Sequence, residues 1–200
     1  SCRGAGATLI VDEVYLDAAH LNGKQPLWTA ASVADNVIAT NSLTKVYGLG
    51  GLRMGWLLTN PELAERARSI MDLLSVNNAA PASMLALRAF AQINRLEERF
   101  RRIYREGQPA FRRWLAGQSL LTGYPNHGAV FECLRLPEGL SSVRLNELLV
   151  AEYETQVVPG RFLGLDDHIR ISLTLPENEL LTALSRVSEA VGRLVSRKQD

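Results

Sequence analysis

Three short apolar runs near the start of the chain stop abruptly at polar side chains: TLIV (8–11) at Asp12 and Glu13, VIAT (37–40) at Asn41 and Ser42, and MGWLLT (54–59) at Asn60 and Pro61. Short continuous apolar runs mark strands covered on both faces, the arrangement of parallel or mixed sheets layered with helices. The period then changes. Leu63, Ala67, Ile70, Met71 and Leu74 fall on one helical face behind Pro61, whose fixed φ suits a first turn. A second helix is expected near Pro81 with Met84, Leu85 and Leu87. A long third one follows over INRLEERFRRIYREGQPAFRRWLA, where Ile93, Leu96, Phe100, Ile103 and Tyr104 keep the spacing and charges fill the other side.

Beyond Gly117 the texture shifts. GAVFECLRL alternates as a strand does, SVRLNELLVAEY reads as a helix, and TQVVPGRF and HIRISLTL are two more strand candidates. Leu180, Leu184, Val187, Val191 and Leu194 form the stripe of a closing helix. The expectation is an α/β domain over 1–100 and an α+β domain over 101–200, with the long helix linking them.

Apolar residues at 46% and charged residues at 22% are enough to bury a core and exclude the disordered and fibrous classes. A net charge of +1 gives no overall pull toward nucleic acid or an anionic membrane. Arg95, Arg99, Arg101, Arg102, Arg105, Arg112 and Arg113 interleave with glutamates as on a solvated helix face, so no nucleic-acid partner is expected. No apolar run approaches the roughly 18 residues that span a bilayer, and no membrane partner is expected either. Cys2 and Cys133 are too few for a disulfide framework, and His20, His127 and His168 stand apart from them. These counts point to a reducing cytoplasm and to no bound metal. Trp28, Trp56 and Trp114 read as packing residues. The opening SCRGAGA reads as the end of a helix and its connection into a strand, so a preceding portion of chain is expected.

Chemistry concentrates in NSLTKVYGLGGLRMGW (41–56), where one lysine, Lys45, lies among hydroxyls and glycines with Arg53 downstream. An ordinary lysine is a protonated, poor nucleophile, and desolvation or neighbouring positive charge must activate it. Ser42, Thr44 and Arg53 offer two hydroxyls and a guanidinium fork suited to a phosphate. Asp12, also just past a strand candidate, is a carboxylate suited to a cationic ring nitrogen. Lysine, phosphate anchor and acid together describe a pyridoxal phosphate site. The structural alternatives are a helix or turn cap for Asp12 and, for Arg170, a pairing with Asp166 or Asp167.

Residues 42–55, SLTKVYGLGGLRMG, resemble the pyridoxal-phosphate attachment signature of class I and II aminotransferases. IVDEVY (10–15) is similar to that family's cofactor-ring segment, and VVPGRF with HIRISLTLP (157–176) to its C-terminal substrate segment, in the family's order. The resemblance implies the transferase fold type I, with 1–100 as the C-terminal part of a large cofactor-binding domain and 101–200 as a small domain. It implies pyridoxal 5′-phosphate as cofactor and Lys45 as the Schiff-base lysine that moves the substrate proton. Asp12 would hold the pyridine nitrogen and Tyr15 the phenolic oxygen. Ser42, Thr44 and Arg53 would hold the phosphate, and Arg170 would grip the substrate α-carboxylate. An amino acid and a 2-oxo acid are then the expected substrates, and a homodimer the expected full-length assembly. The family's first-half elements find no match here, so the chain is expected to hold cofactor weakly or not at all by itself. Two alternatives share these residues: a lyase or synthase on the same scaffold, and the aminotransferase-like sensor domain of a transcription regulator.

Overall fold

A computed structural model describes residues 2–21, 23, 27–124 and 128–197. The chain divides into one compact unit that runs to Arg101 and a second that begins at Arg102. His127 lies outside the described residues.

The first unit opens with a 3-10 turn, Arg3–Ala5, closed by Gly6 in the left-handed conformation. Strands β1 (Leu9–Asp12), β2 (Val37–Ser42) and β3 (Gly55–Leu58) form its sheet in that order. β1 runs parallel to β2, with Asp12 opposite Thr40, and β3 returns antiparallel, with Gly55 opposite Ser42. A short helix that sequence periodicity does not reveal, α1 (Leu16–Leu21), follows β1. Its single buried residue is Ala18, too little for an apolar stripe.

Helix α2 (Pro61–Leu74) starts where Pro61 predicts, with the Asn60 side chain accepting the Leu63 N–H at 2.9 Å. α3 is Ala80–Ala91 and α4 is Ile93–Ala116, and the unit boundary falls inside α4. The expected burial of the α2 stripe and of TLIV does not hold. No α2 residue is buried, and Leu73 is 86%, Leu87 72% and Ile10 68% exposed. The reason is topological: β1 is the edge strand of a three-stranded sheet among the described residues, and on α2 only Leu63, Ala64 and Ala67 are half-buried. Trp28, expected to pack, is likewise 52% exposed, whereas Trp56 lies against Phe90 with ring centroids 5.5 Å apart.

The second unit is built around an antiparallel sheet in the order β4 (Thr122–Gly123), β5 (Phe131–Arg135), β7 (His168–Ser172), β6 (Val158–Pro159). Helices α5 (Ser142–Tyr153) and α6 (Glu177–Ser196) complete it. The alternation read in GAVFECLRL is real: Glu132 and Leu134 are buried, and Phe131, Cys133 and Arg135 take the other face. Leu134 and Ile169 join Leu145 and Leu149 of α5 and Leu180, Leu184, Val187 and Val191 of α6 in one core. Burying such side chains is worth about 1.5–3 kcal/mol each before entropy is counted.

TQVVPGRF shortens to the two residues of β6, because Pro159 has no N–H for a ladder and the chain turns at once into a 3-10 helix, Gly160–Leu163. Gly160 is buried, and a Cβ there would run into the carbonyl oxygens of Leu165 and His168. Both obstacles are backbone and cannot swing aside. Gly160→Ala is therefore expected to cost about 1–3 kcal/mol in urea or thermal unfolding, and wild-type stability would contradict this packing.

Candidate active site

The loop from Leu43 to Met54 joins the carboxyl end of β2 to β3 and is fastened at its neck. Leu43 N–H donates to Met54 O at 3.1 Å, and Leu49 N–H donates to Leu43 O at 2.9 Å. Inside it, Leu43, Val46 and Tyr47 are buried while Lys45 between them is exposed. The apolar residues anchor the loop, and the lysine side chain is left outside. The desolvation expected of a strand-end lysine is absent in this chain for that reason.

Ser42 Oγ accepts the Thr44 N–H at 3.3 Å, so both hydroxyl residues sit at one turn. Arg53 has φ 52°, in the left-handed region, and its N–H closes the 3-10 turn Gly50–Leu52 on Gly50 O. Ser42 pairs with Gly55, where a Cβ would stand 3.0 Å from Asn41 O, so the strands approach closely just beyond Arg53. Ser42, Thr44, Lys45 and Arg53 thus share one loop. Lys45 and Arg53 have no ion-pair partner among the described residues.

Asp12 occupies the carboxyl end of β1, beside β2. Its Oδ1 accepts the Val14 N–H at 3.1 Å, the turn-capping role read from sequence, and the side chain is exposed. Glu13 is buried instead, and its side chain accepts the Ala30 N–H at 2.6 Å. Tyr15 is half-buried just ahead of α1, and its carbonyl accepts the Ala19 N–H.

A support for the loop escaped the sequence reading. Asn41 Nδ2 donates to Asp17 Oδ2 at 2.9 Å, Asn41 Oδ1 accepts the Ser42 N–H at 2.7 Å, and the Tyr47 hydroxyl feels the charge of the same Asp17 carboxylate. Arg99 donates to Tyr47 O at 3.1 Å, and its guanidinium fills the space a side chain at Gly48 would need. Only folding brings Asp17 to Tyr47, and no spacing in the sequence could have paired them. Burial, followed by the charges of Asp17 and Glu97, raises the Tyr47 hydroxyl above the ordinary tyrosine range.

A raised folded-state value means that the protonated hydroxyl contributes fully below the unfolded value of about pH 10 and is lost as pH climbs through the folded value. Tyr47→Phe is expected to flatten the alkaline loss of stability. An unchanged alkaline limb in urea titrations would contradict this.

Arg170 belongs to the second unit, on β7, half-buried, with its guanidinium carbon 5.3 Å from the centre of the Phe131 ring. Neither acid proposed from sequence holds it. Asp167 is bound to His168 Nδ1 at 2.6 Å and to Arg135 Nε at 3.2 Å, and Asp166 makes no ion pair among the described residues. His168, read as isolated, is buried in that cluster, with its ring stacked on Tyr124.

The sequence matches the family described as aminotransferase class I and II over residues 1–187. The chain belongs to this family. Capreomycidine synthase of Streptomyces vinaceus is 28% identical over 93% of the chain and 48% of its own length. Histidinol-phosphate aminotransferase of Symbiobacterium thermophilum is 30% identical over 84% of the chain and 44% of its own length. Among solved structures, a probable N-succinyldiaminopimelate aminotransferase from Thermus thermophilus superposes with a TM-score of 0.81 and 29% identity, covering 94% of this chain and 51% of that one. An α-aminoadipate aminotransferase, also from Thermus thermophilus and solved with N-(5′-phosphopyridoxyl)-L-leucine, reaches 0.85 at 22% identity over 98% of this chain and 52% of that one. The chain spans about half the length of the curated relatives it matches. The class I and II aminotransferases bring with them the type I fold and pyridoxal 5′-phosphate as cofactor.

Proposed function

We propose that the full-length protein is an aminotransferase that exchanges an amino group between an amino acid and a 2-oxo acid. The observation that carries this reading is the 42–55 loop, which presents Lys45 and Arg53 outside any ion pair among the described residues, with two hydroxyls, beside the strand that ends in Asp12, in a chain of this family.

The donor set fits pyridoxal 5′-phosphate. Arg53, Ser42 and Thr44 match a phosphate dianion, with one bidentate cation and two hydroxyl donors. Asp12 has an oxygen beyond the one that caps the turn and suits a protonated ring nitrogen. Tyr15 suits the ring's phenolic oxygen. Bound pyridoxal phosphate supplies an aldehyde that an amine attacks and a ring that accepts an electron pair.

The remaining work falls to the chain. Lys45 Nζ would be the amine that holds the cofactor aldehyde and, once freed by the substrate amine, the base positioned to take the substrate Cα proton. Asp12 would favour a protonated ring nitrogen electrostatically. Arg170 binds the α-carboxylate through its fork of N–H groups and so orients the Cα–H bond. Residues 1–100 act as part of a large cofactor-binding domain and 101–200 as a small substrate-side domain. The exposed apolar side chains of α2 and α3 support a homodimer of the full-length protein, and the two free cysteines support a cytoplasmic location.

A second reading, synthase chemistry on the same scaffold, is favoured by the likeness to capreomycidine synthase. Products separate the two. The full-length protein, loaded with pyridoxal phosphate and offered a panel of amino donors with a 2-oxo acid acceptor, should convert acceptor to amino acid in step with donor loss. Ammonia release or a cyclised product without acceptor conversion would replace the first reading by the second.

A further inference from the structure

On β7 the side chains of His168, Arg170 and Ser172 share one face, while Ile169 and Ile171 on the other enter the core. Arg170 stands directly opposite Cys133 of β5 and Val158 of β6. Phe131 is two residues from Cys133 on the same face, and therefore the diagonal neighbour of Arg170, a distance that aromatic and long side chains span. The guanidinium carbon lies 5.3 Å from the Phe131 ring centre, inside the roughly 6 Å range of cation–π attraction.

We propose that Phe131 is a positioning residue: its ring face holds the Arg170 guanidinium in place, so that the N–H edge is ready for a carboxylate before substrate arrives. This rests on the reading of Arg170 as the α-carboxylate anchor. Arg170 has no ion-pair partner among the described residues, so the ring orients the cation without competing for its donors. A carboxylate partner would orient it equally well but would have to be displaced at every binding event. An aromatic face binds the flat of the guanidinium and leaves its edge free. The benefit is preorganisation, and it shows in substrate binding ahead of the chemical step.

The test uses the full-length protein loaded with cofactor. Phe131→Leu keeps an apolar side chain and removes the π face. It is expected to raise KM about fivefold for amino acid and oxo acid alike with kcat within about twofold, while Phe131→Tyr stays near wild type. Phenylalanines carrying one, two or three ring fluorines at position 131 keep the shape and drain the π face, so KM should rise in step with fluorination even if the leucine variant folds poorly. A KM independent of fluorination overturns the proposal. Arg170→Gln separates the layers. If it raises KM about 100-fold while the fluorine series is flat, Phe131 has no such role and the Arg170 reading stands. If it leaves KM unchanged, the anchor reading fails and the positioning role fails with it.

Discussion

Lys45→Ala in the full-length protein is expected to lower amino-group exchange by about 10⁴-fold or more. No other group on the 42–55 loop can replace the amine: Ser42 and Thr44 are hydroxyls, and Arg53 carries a delocalised guanidinium rather than a primary amine. The variant should fold as wild type does, because Lys45 is exposed while its neighbours Leu43, Val46 and Tyr47 fill the interior. Loss of activity with unchanged unfolding midpoint is therefore the expected pair of results. Borohydride reduction followed by peptide mass spectrometry should place the pyridoxyl adduct on Lys45 in the wild type. An adduct on another residue, or an alanine variant with substantial turnover, would remove the basis of the proposed function.

Asp12→Asn comes next, at a loss of roughly 10²–10³-fold in kcat. Asparagine retains an Oδ1 that can accept the Val14 N–H, so the turn after β1 survives and only the negative charge is removed. The effect should fall on kcat more than on KM, since stabilisation of a protonated ring nitrogen matters most when the ring takes up an electron pair. Asp12→Ala should add a loss of stability of about 1 kcal/mol through the missing cap. A kcat left unchanged by Asp12→Asn would mean that the carboxylate serves the turn alone.

Most of the secondary structure is legible in the sequence because local signals and tertiary demands agree. Pro61 and Asn60 start α2, the SVRLNELLVAEY stretch is α5, and the stripe of Leu180, Leu184, Val187, Val191 and Leu194 is the buried face of α6. The failures have local causes. Pro159 and the crowded backbone at Gly160 cut short a strand that β-branched residues alone would extend. Helix α1 buries one alanine and leaves no periodic trace. Exposure is the least legible property, since an apolar stripe reports that a side chain prefers cover and not that cover is present. The 42–55 loop could be read because its chemistry is local; the Asp17–Tyr47–Asn41 brace and the Phe131 ring over Arg170 could not, because each depends on strand or helix pairing across distant sequence.

The bare edge of β1 has a further consequence. With Leu9 and Ile10 exposed on an edge strand, the first unit offers, among the described residues, both an unpaired ladder edge and a greasy flank to any passing extended peptide. Such a margin templates sheet growth, so concentrated solutions of these 200 residues by themselves should turn cloudy long before the second unit, with its closed α5 and α6 interior, begins to unravel.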